Sequence, residues 1–344
     1  MLAYIYNKDN KLELVEKDIP KAKDNTAILK MKACSICGTD FRTYMFGSKR
    51  IQHGTTVGHE TCGEVVEIGK NVKGLSIGEL VTVTPALGCG ECYMCKKGHT
   101  NMCDNLLTIG FDFDGGFAEY MEIPAPYIER GYVNPVPAGV EPIDAALAEA
   151  VACTINAQSF LNISDGDTVA VFGSGLIGCM HAELAYLSGA KKVIMIELNE
   201  QRRKQALEIH PELTMMEPSD DLVDKVLKET DGIGVDVAII ACSAGVAQVQ
   251  AQQIIAKRGR ISLFGGLPGE SCGFIDSNII HYKELGVFGV HASTREQNRQ
   301  ALAWIGEGRI NVRKYITTTK PIAEIESAFL SIKNEGIMKA VITF

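Results

Sequence analysis

The sequence predicts an α/β protein of two domains, a β-rich module followed by a doubly wound parallel sheet. The chain has 344 residues, more than one small hydrophobic core usually organises. Up to about residue 125 it shows short strands between glycine-rich turns, and after Asp167 it shows apolar strands that alternate with helical segments. Strands that are buried on both faces and alternate with helices are typical of a parallel sheet.

Short strands mark the first half of the chain. In the segment 27–33, apolar side chains alternate with lysines, which is the pattern of a half-buried strand. The same strand character is found in the segments 80–83, 117–123 and 340–344.

Continuous apolar strands mark the second half. The first of them, 168–172, runs through a glycine-rich turn into a helical pattern at 179–187. Further strands are predicted at 193–196, 235–240, 261–264 and 285–288, with a helix at 248–256.

Four cysteines within fifteen residues predict a metal site. Cys89, Cys92, Cys95 and Cys103 have the spacing C-x2-C-x2-C-x7-C. Thiolates at this spacing can surround one zinc ion in a closed tetrahedral shell, which builds structure and leaves no position for a substrate. An iron–sulfur cluster is the alternative, because C-x2-C-x2-C also begins ferredoxin-type motifs. Those motifs continue C-x3-C-P, so the seven residues before Cys103 favour structural zinc.

The glycines after the first apolar strand predict a dinucleotide site. Gly173, Gly175 and Gly178 form G-x-G-x-x-G between a strand and a helix. The first permits a tight turn, the second lets the backbone approach a pyrophosphate, and the third lets the helix pack close to the strand. The free N–H groups of the helix N-terminus would hold the diphosphate, at a site that also includes Leu176 and Ile177.

Glu197 predicts which dinucleotide binds. It ends the next strand, nineteen residues after Gly178. A carboxylate at this place accepts hydrogen bonds from the ribose hydroxyls and repels a 2′-phosphate, so NAD is favoured over NADP. Arg202 and Arg203 follow one helical turn later and offer the alternative, a contact to such a phosphate.

A second metal site is predicted from residues that are far apart in the sequence. Cys37 and His59 are ligand types of an open catalytic zinc site, which needs three protein ligands and keeps a position for water or substrate. Glu60 or Glu149 could complete the shell. On residue chemistry alone, His59 could equally be a packed core histidine. A nicotinamide domain, however, calls for a group that polarises an alcohol or carbonyl oxygen, and zinc does so as a Lewis acid.

Composition restricts the partners and the location. A net charge of −8 argues against a nucleic-acid partner. The sequence contains no run of five or more Lys/Arg residues, so a basic patch that would bind a membrane surface is not expected. The sequence contains no apolar run of 18 residues, so no membrane span is expected. Eleven cysteines, an odd number with one tight cluster, fit a reducing compartment. We therefore expect a cytoplasmic protein that acts on a small molecule and binds neither nucleic acid nor membrane.

The order of these motifs resembles the zinc-dependent medium-chain alcohol/polyol dehydrogenases, with the sorbitol (L-iditol) and L-threonine dehydrogenase branches the most similar. The motifs are C-G-T-D, G-H-E, the four-cysteine loop, G-G-F-A-E-Y and a strand-G-S-G-L-I-G-helix unit, and the resemblance covers essentially the whole chain. It implies a GroES-like catalytic domain formed by residues 1–152 and 291–344, with a Rossmann NAD-binding domain at 153–290. We expect a homodimer or a homotetramer.

The resemblance also implies roles for individual residues. Thr39 would pass the proton of the substrate outward, and Asp40 would orient the metal site from outside the ligand shell. Together with the structural site, the chain would bind two zinc ions. The catalytic zinc would be held by Cys37, His59 and either Glu149 or Glu60.

Three places depart from the pattern of the family. Ala150 follows Glu149 where the polyol branch usually has proline, and Arg42 stands where a relay histidine is common. The Arg-Tyr pair that sorbitol dehydrogenases carry after the last Rossmann strand is replaced by residues 290–292. The last change argues against sorbitol itself as the substrate.

The predicted function is a zinc-dependent transfer of hydride between NAD and a secondary alcohol of a polyol, sugar alcohol or sugar derivative. A second enzyme hypothesis is oxidation of an amino alcohol such as L-threonine. The hypothesis from another class is a non-catalytic relative that binds zinc and NAD, against which the presence of Cys37, Thr39 and His59 argues. Arg42 and Arg50 also allow an anionic substrate, such as a sugar-alcohol phosphate or an acid.

Overall fold

A computed structural model describes residues 1–267, 269 and 273–344. Within these residues the strands are β1 (Leu2–Tyr6), β2 (Leu12–Glu16), β3 (Ala27–Ser35), β4 (Glu60–Ile68), β5 (Leu80–Val83), β6 (Ala86–Leu87), β7 (Leu107–Thr108), β8 (Tyr120–Ile123), β9 (Val133–Pro135), β10 (Thr168–Phe172), β11 (Lys192–Ile196), β12 (Thr214–Met216), β13 (Val235–Ile240), β14 (Ile255–Leu263), β15 (Gly286–Gly289), β16 (Thr318–Pro321) and β17 (Ala340–Thr343).

The α-helices of the same residues alternate with these strands, most regularly after β10. They are α1 (Gly38–Phe46), α2 (Tyr93–Lys96), α3 (Ala125–Glu129), α4 (Pro142–Ala145), α5 (Ala148–Ser159), α6 (Leu176–Leu187), α7 (Glu200–Ile209), α8 (Leu222–Glu229), α9 (Gly245–Ile254), α10 (Ser277–Lys283), α11 (Arg295–Gly306) and α12 (Ile325–Glu335). None of the helices in the described part of the chain has both the length and the apolar character needed to span a membrane.

The chain divides into two compact units. The first combines Met1–Ala152 with Ala292–Phe344, and the second is Cys153–His291. The first unit contains a seven-stranded sheet in the order β16-β17-β3-β4-β5-β9, with β8 also paired to β3. Its strands are antiparallel except for the pair β16 and β17. The last strand of the chain therefore lies beside β3, which is one of its first.

The core of the first unit is built from both of its segments. The ring of Phe329, on α12, stacks on Tyr4 of β1 at 5.7 Å between centroids and meets Phe117 edge-on at 6.4 Å. All three side chains are buried. Large aromatic side chains contribute strongly to core stability, so the late segment is an integral part of this core.

The second unit is a six-stranded parallel sheet in the order β12-β11-β10-β13-β14-β15. Counted along the chain, this is the order 3-2-1-4-5-6 of dinucleotide-binding folds. The side chains of β10 are all buried, as expected for a strand covered on both faces. The predicted α/β fold, with a β-rich module and a doubly wound parallel sheet, is confirmed.

Several boundaries differ from the sequence-based expectation; the strand expected at 261–264, for example, runs from Ile255 to Leu263. The helix expected at 248–256 ends at Ile254, and Ile255 and Ala256 begin β14 instead. The strand expected at 117–123 begins at Tyr120. In these places the local pattern of side chains carries no mark of where the element begins or ends, so pairing with neighbouring strands decides the boundary.

Candidate functional site

The four clustered cysteines lie close together in space. The Sγ atoms of Cys89, Cys92, Cys95 and Cys103 all lie within 4.8 Å of one another, and those of Cys92 and Cys103 are 3.8 Å apart. Four sulfurs at about 2.3 Å from one tetrahedral zinc ion would be separated by about 3.8 Å. Donor type, number and spacing therefore fit a single zinc ion.

Backbone N–H groups point at the sulfurs of this loop. Glu91 and Cys92 donate to Cys89 Sγ at 3.4 and 3.3 Å, and Cys95 donates to Cys92 Sγ at 3.5 Å. Such bonds lower the pKa of Cys89 and bring that of Cys92 to about 6. Burial has the opposite effect and raises the pKa of Cys95 to about 12 and that of Cys103 above its ordinary value. The loop thus stabilises part of the thiolate charge, and a bound cation would stabilise the rest.

Cys37, His59 and Glu60 meet in the first unit, near the end of β3 and the start of β4. One ligand atom from each lies within 4.8 Å of the others. His59 and Glu60 are 6% and 1% exposed, so the group is largely shielded from water. A thiol, an imidazole and a carboxylate form the donor set of an open zinc site.

Asp40 lies behind this group, in the first turn of α1. One of its carboxylate oxygens accepts the N–H of Cys37 at 2.9 Å, and the other lies 3.4 Å from His59 Nδ1. Burial alone would lower the pKa of His59, but the charges of Asp40 and Cys37 outweigh it and raise that pKa well above its ordinary value. In the described residues His59 Nδ1 has no hydrogen-bond partner. The surroundings therefore favour positive charge at this place, as a metal centre requires.

Lys339 forms a buried ion pair with Glu60 beside the candidate ligands. Its ammonium contacts the Glu60 carboxylate, which also accepts the hydroxyl of Ser35, and it donates to the carbonyl oxygen of Ile36 at 2.9 Å. Burial opposes the charge on Lys339, yet Glu60, Cys37 and Glu149 raise its pKa above the ordinary value. Glu60 is thereby engaged on two sides by the protein.

The other residues predicted for this site lie on neighbouring helices. Thr39 is in the first turn of α1, two residues after Cys37, and its side chain is exposed. Glu149 is half-buried on α5, close enough for its charge to act on Lys339. Glu149 is not one of the three residues whose ligand atoms lie within 4.8 Å of one another.

The glycine-rich turn of the second unit connects β10 with α6. Gly173 has φ +99°, a left-handed conformation that favours glycine. A Cβ on Gly178 would lie 1.9 Å from the carbonyl oxygen of Gly173, so the helix approaches the turn too closely for any side chain. Apart from Gly175 and its chain neighbours, no described residue has an atom within 4 Å of the place where a Cβ on Gly175 would stand. This leaves space for a diphosphate in front of α6, which begins with Leu176 and Ile177.

Glu197 lies directly after β11 and faces this turn. Its carboxylate accepts the N–H of Ser174 at 2.9 Å and that of Asn199 at 2.8 Å. The guanidinium of Arg203 donates to the carbonyl oxygens of Glu197 and Leu198 at 2.9 and 2.7 Å. Arg203 is therefore committed to the backbone after β11, while the carboxylate of Glu197 is held beside the turn.

Lys339 and Ser35 were missed by the sequence analysis. Lys339 stands directly before the apolar strand β17, where lysines are common and usually solvated. Its proximity to Glu60 arises from two strand pairings. Ser35 is opposite Val341 where β17 pairs with β3, and it is opposite Glu60 where β3 pairs with β4. The only sequence feature that marks Lys339 is its position before an apolar strand, and this feature is too common to identify a functional site.

Comparison with known proteins gives two family matches. A family model described as an alcohol dehydrogenase GroES-like domain matches residues 23–130, and one described as a zinc-binding dehydrogenase matches residues 177–307. The first match covers the four-cysteine loop together with Cys37 and His59, and the second covers Glu197.

Two relatives and one solved structure extend over nearly the whole chain. An L-threonine 3-dehydrogenase of Pyrococcus furiosus is 34% identical over 323 residues, which are 92% of this chain and 90% of the relative. A sorbitol dehydrogenase of Halalkalibacterium halodurans is 31% identical over 331 residues, covering 95% and 94%. A structure described as a putative zinc-binding dehydrogenase from Sinorhizobium meliloti bound to NADP has a TM-score of 0.91 at 29% identity, covering 100% and 99% of the two chains.

Proposed function

Because this chain belongs to the zinc-binding dehydrogenases that carry an alcohol dehydrogenase GroES-like domain, we propose that it transfers hydride between NAD and a secondary alcohol of a polyol, sugar alcohol or sugar derivative. The observation that carries this proposal is the convergence of Cys37, His59 and Glu60 next to the exposed hydroxyl of Thr39. A sorbitol dehydrogenase among the relatives supports a polyol substrate.

The catalytic metal would be held by Cys37, His59 and one carboxylate. A zinc ion there supplies a Lewis acid that polarises the oxygen of the substrate. Because Lys339 and Ser35 already engage Glu60, the third ligand is better assigned to Glu149.

The protein residues around the metal position have separate tasks. Asp40 fixes the backbone before α1 by accepting the N–H of Cys37, and its charge faces the ring of His59. Thr39 accepts the proton of the substrate hydroxyl and passes its own to water, for which its exposed side chain is suited. No relay histidine is needed for this transfer, and Arg42 at the usual relay position cannot act as a base near neutral pH.

The four-cysteine loop would bind the second zinc ion and stabilise its own fold. This assignment is supported by the 3.8 Å separation of Cys92 and Cys103 and by N–H groups directed at the sulfurs. A closed shell of four thiolates leaves no position for a substrate.

Cofactor choice would rest on Glu197. A carboxylate that is held beside the turn can accept the ribose hydroxyls and repels a 2′-phosphate. Arg203 donates to backbone carbonyls and is not directed at such a phosphate. We therefore assign NAD to this chain, although the Sinorhizobium meliloti structure is described as bound to NADP.

An assay of NADH production across a panel of alcohols tests the proposal. The zinc-loaded protein should oxidise vicinal diols or polyols with a higher kcat/KM than primary monoalcohols of similar size. Cys37→Ala and His59→Ala should each abolish turnover and keep NAD binding, since the dinucleotide motif lies in the other unit. Ethanol or benzyl alcohol exceeding every polyol would contradict the substrate class, and turnover by either variant would contradict the metal assignment.

L-Threonine is the second candidate substrate. The 34% identity to the Pyrococcus furiosus L-threonine 3-dehydrogenase, over 92% of the chain, favours it specifically. Including L-threonine in the same panel separates the two hypotheses. A protein that binds zinc and NADH but oxidises no alcohol would be a non-catalytic relative.

A further inference from the structure

We propose that Arg50 binds a carboxylate at the end of the substrate remote from the reacting hydroxyl, so that sugar acids are preferred to neutral polyols. The inference rests on the proposed function, because it names the substrate class for that same site.

Arg50 lies one aromatic ring away from the candidate metal ligands. Its guanidinium carbon is 5.1 Å from the centroid of the Phe111 ring. The centroid of that ring is in turn 5.9 Å from the centroid of His59. The two distances together place the guanidinium carbon no more than 11 Å from the centroid of the His59 ring, near the metal position.

The segment that carries Arg50 is fixed to the body of the first unit. The buried hydroxyl of Tyr6 accepts the N–H of Ser48 at 2.8 Å and donates to the carbonyl oxygen of Ser48, also at 2.8 Å. The N–H of Arg50 donates to Ser48 Oγ at 3.2 Å, and that of Gly54 donates to the carbonyl oxygen of Tyr6 at 2.7 Å. A binding group on an anchored segment loses little conformational freedom when a ligand arrives.

The charge of Arg50 has no anionic partner in the described part of the chain. No described carboxylate lies within 4.0 Å of its guanidinium, although the rest of the segment is tied down by hydrogen bonds. The face of Phe111 holds the guanidinium by a cation–π contact, which leaves its N–H edge free to donate. An exposed N–H edge of this kind can bind a carboxylate with two parallel hydrogen bonds.

The spacing sets the length of the substrate. A molecule with its hydroxyl at Cys37 and His59 would extend along the Phe111 ring, which contacts both His59 and Arg50, to place an anionic group at Arg50. Several carbon atoms are needed for this, as in an aldonate whose reacting hydroxyl is distant from its carboxylate. A sugar-alcohol phosphate carries its anionic group in a similar place, so the two anions must be distinguished by experiment.

The test compares three substrates of one carbon skeleton: a hexonate, the hexitol in which a hydroxymethyl group replaces the carboxylate, and the corresponding hexitol phosphate. The zinc-loaded wild type should prefer the hexonate. Arg50→Gln should lower kcat/KM for the hexonate about ten- to a hundredfold, mainly through KM, and change that for the hexitol less than twofold. Lys49→Gln, which removes the neighbouring exposed charge, should change neither.

A binding measurement checks the same point without turnover. Calorimetric titration of the enzyme–NADH complex with the hexonate should show the same weakening in Arg50→Gln and none in Lys49→Gln. A wild type that favours the hexitol or its phosphate, or an Arg50→Gln variant that loses both substrates equally, overturns the inference and leaves the proposed function standing. A protein that oxidises no alcohol at all refutes both.

Discussion

Lys339 and Glu60 form a buried ion pair although 279 positions separate them in the chain. They are 3% and 1% exposed, and the ammonium also donates to the carbonyl oxygen of Ile36. The pair therefore joins the segment before β17 to the ends of β3 and β4, where Cys37 and His59 lie. We expect it to matter for stability as well as for the position of Glu60.

Removing one partner of this pair should be costly. Lys339→Met leaves the charge of Glu60 buried and unpaired, and we expect the free energy of unfolding to fall by about 3–5 kcal/mol. Urea unfolding of the zinc-loaded protein measures this loss, and the double variant with Glu60→Met should recover much of it. Lys320→Met, which breaks an exposed pair with Glu324, should cost less than about 1 kcal/mol. A similar small loss in Lys339→Met would show that the buried pair is not stabilising.

The four-cysteine loop should lose its metal when one thiolate is removed. Cys103→Ser replaces a soft sulfur ligand by a hydroxyl that binds zinc weakly. Metal analysis should find about one zinc per chain instead of two, and the thermal midpoint should drop by roughly 5 °C or more, equivalent to about 2 kcal/mol. Cys242→Ser, outside the loop, should keep both ions. Iron in the purified wild type, or an unchanged midpoint in Cys103→Ser, would contradict structural zinc.

Glu197 should determine the choice between NAD and NADP. Glu197→Ala removes the carboxylate that would repel a 2′-phosphate, so the ratio of kcat/KM for NAD to that for NADP should fall about tenfold, or 1.4 kcal/mol. Initial rates with each dinucleotide at equal concentration provide the measurement. Glu200→Ala, which removes an exposed carboxylate of α7 paired with Lys204, is the matched control and should leave the ratio unchanged. Better activity of the wild type with NADP would show the assignment to be wrong.

His181 should make stability depend on pH in a predictable direction. Burial lowers its pKa to about 3, and in the described residues its Nε2 has no hydrogen-bond partner. The unfolded chain, with a pKa of about 6.5 at this residue, takes up a proton that the folded protein excludes. The stability contribution is therefore complete above pH 6.5 and decreases as the pH falls towards 3.

Unfolding at pH 7.5 and pH 5.5 tests this effect. Between these values the wild type should lose about 1 kcal/mol more than His181→Gln, which has no titrating group there. His281→Gln, at an exposed position on α10, should behave like the wild type. Equal losses in wild type and His181→Gln would mean that the folded protein accommodates the proton.

Local patterns in the sequence predicted much of the fold. The strands at 168–172 and 80–83 occupy the same residues in the structure, because each is a short stretch of strand-forming residues bounded by turn-forming residues. The four cysteines that are grouped by spacing are also grouped in space, since a loop of fifteen residues keeps them near one another. Motifs of this kind carry their geometry within a short stretch of chain.

Contacts between distant segments could not be predicted in the same way. Lys339 gave no local sign of its partner, because the pairing of β17 with β3 brings it to Glu60. Phe111 likewise reaches His59 and Arg50 only through the fold of the first unit. The sequence left Glu60 and Glu149 equal as metal ligands. A ligand atom of Glu60 lies near those of Cys37 and His59, whereas the ion pair of Glu60 with Lys339 supports the proposal that Glu149 is the ligand.

The place of β17 beside β3 has a consequence for biosynthesis. The carbonyl oxygen of Ile36 accepts a hydrogen bond from Lys339, which is synthesised 303 residues later. At about 5–20 residues per second, translation takes roughly 15 to 60 seconds to reach it. During this interval the edge of β3 next to Cys37 is unpaired, and the second unit is completed before it ends, once His291 has been made. Nascent chains of this protein should therefore require protection at that edge, and premature termination would release a chain that folds its dinucleotide unit but not its catalytic one.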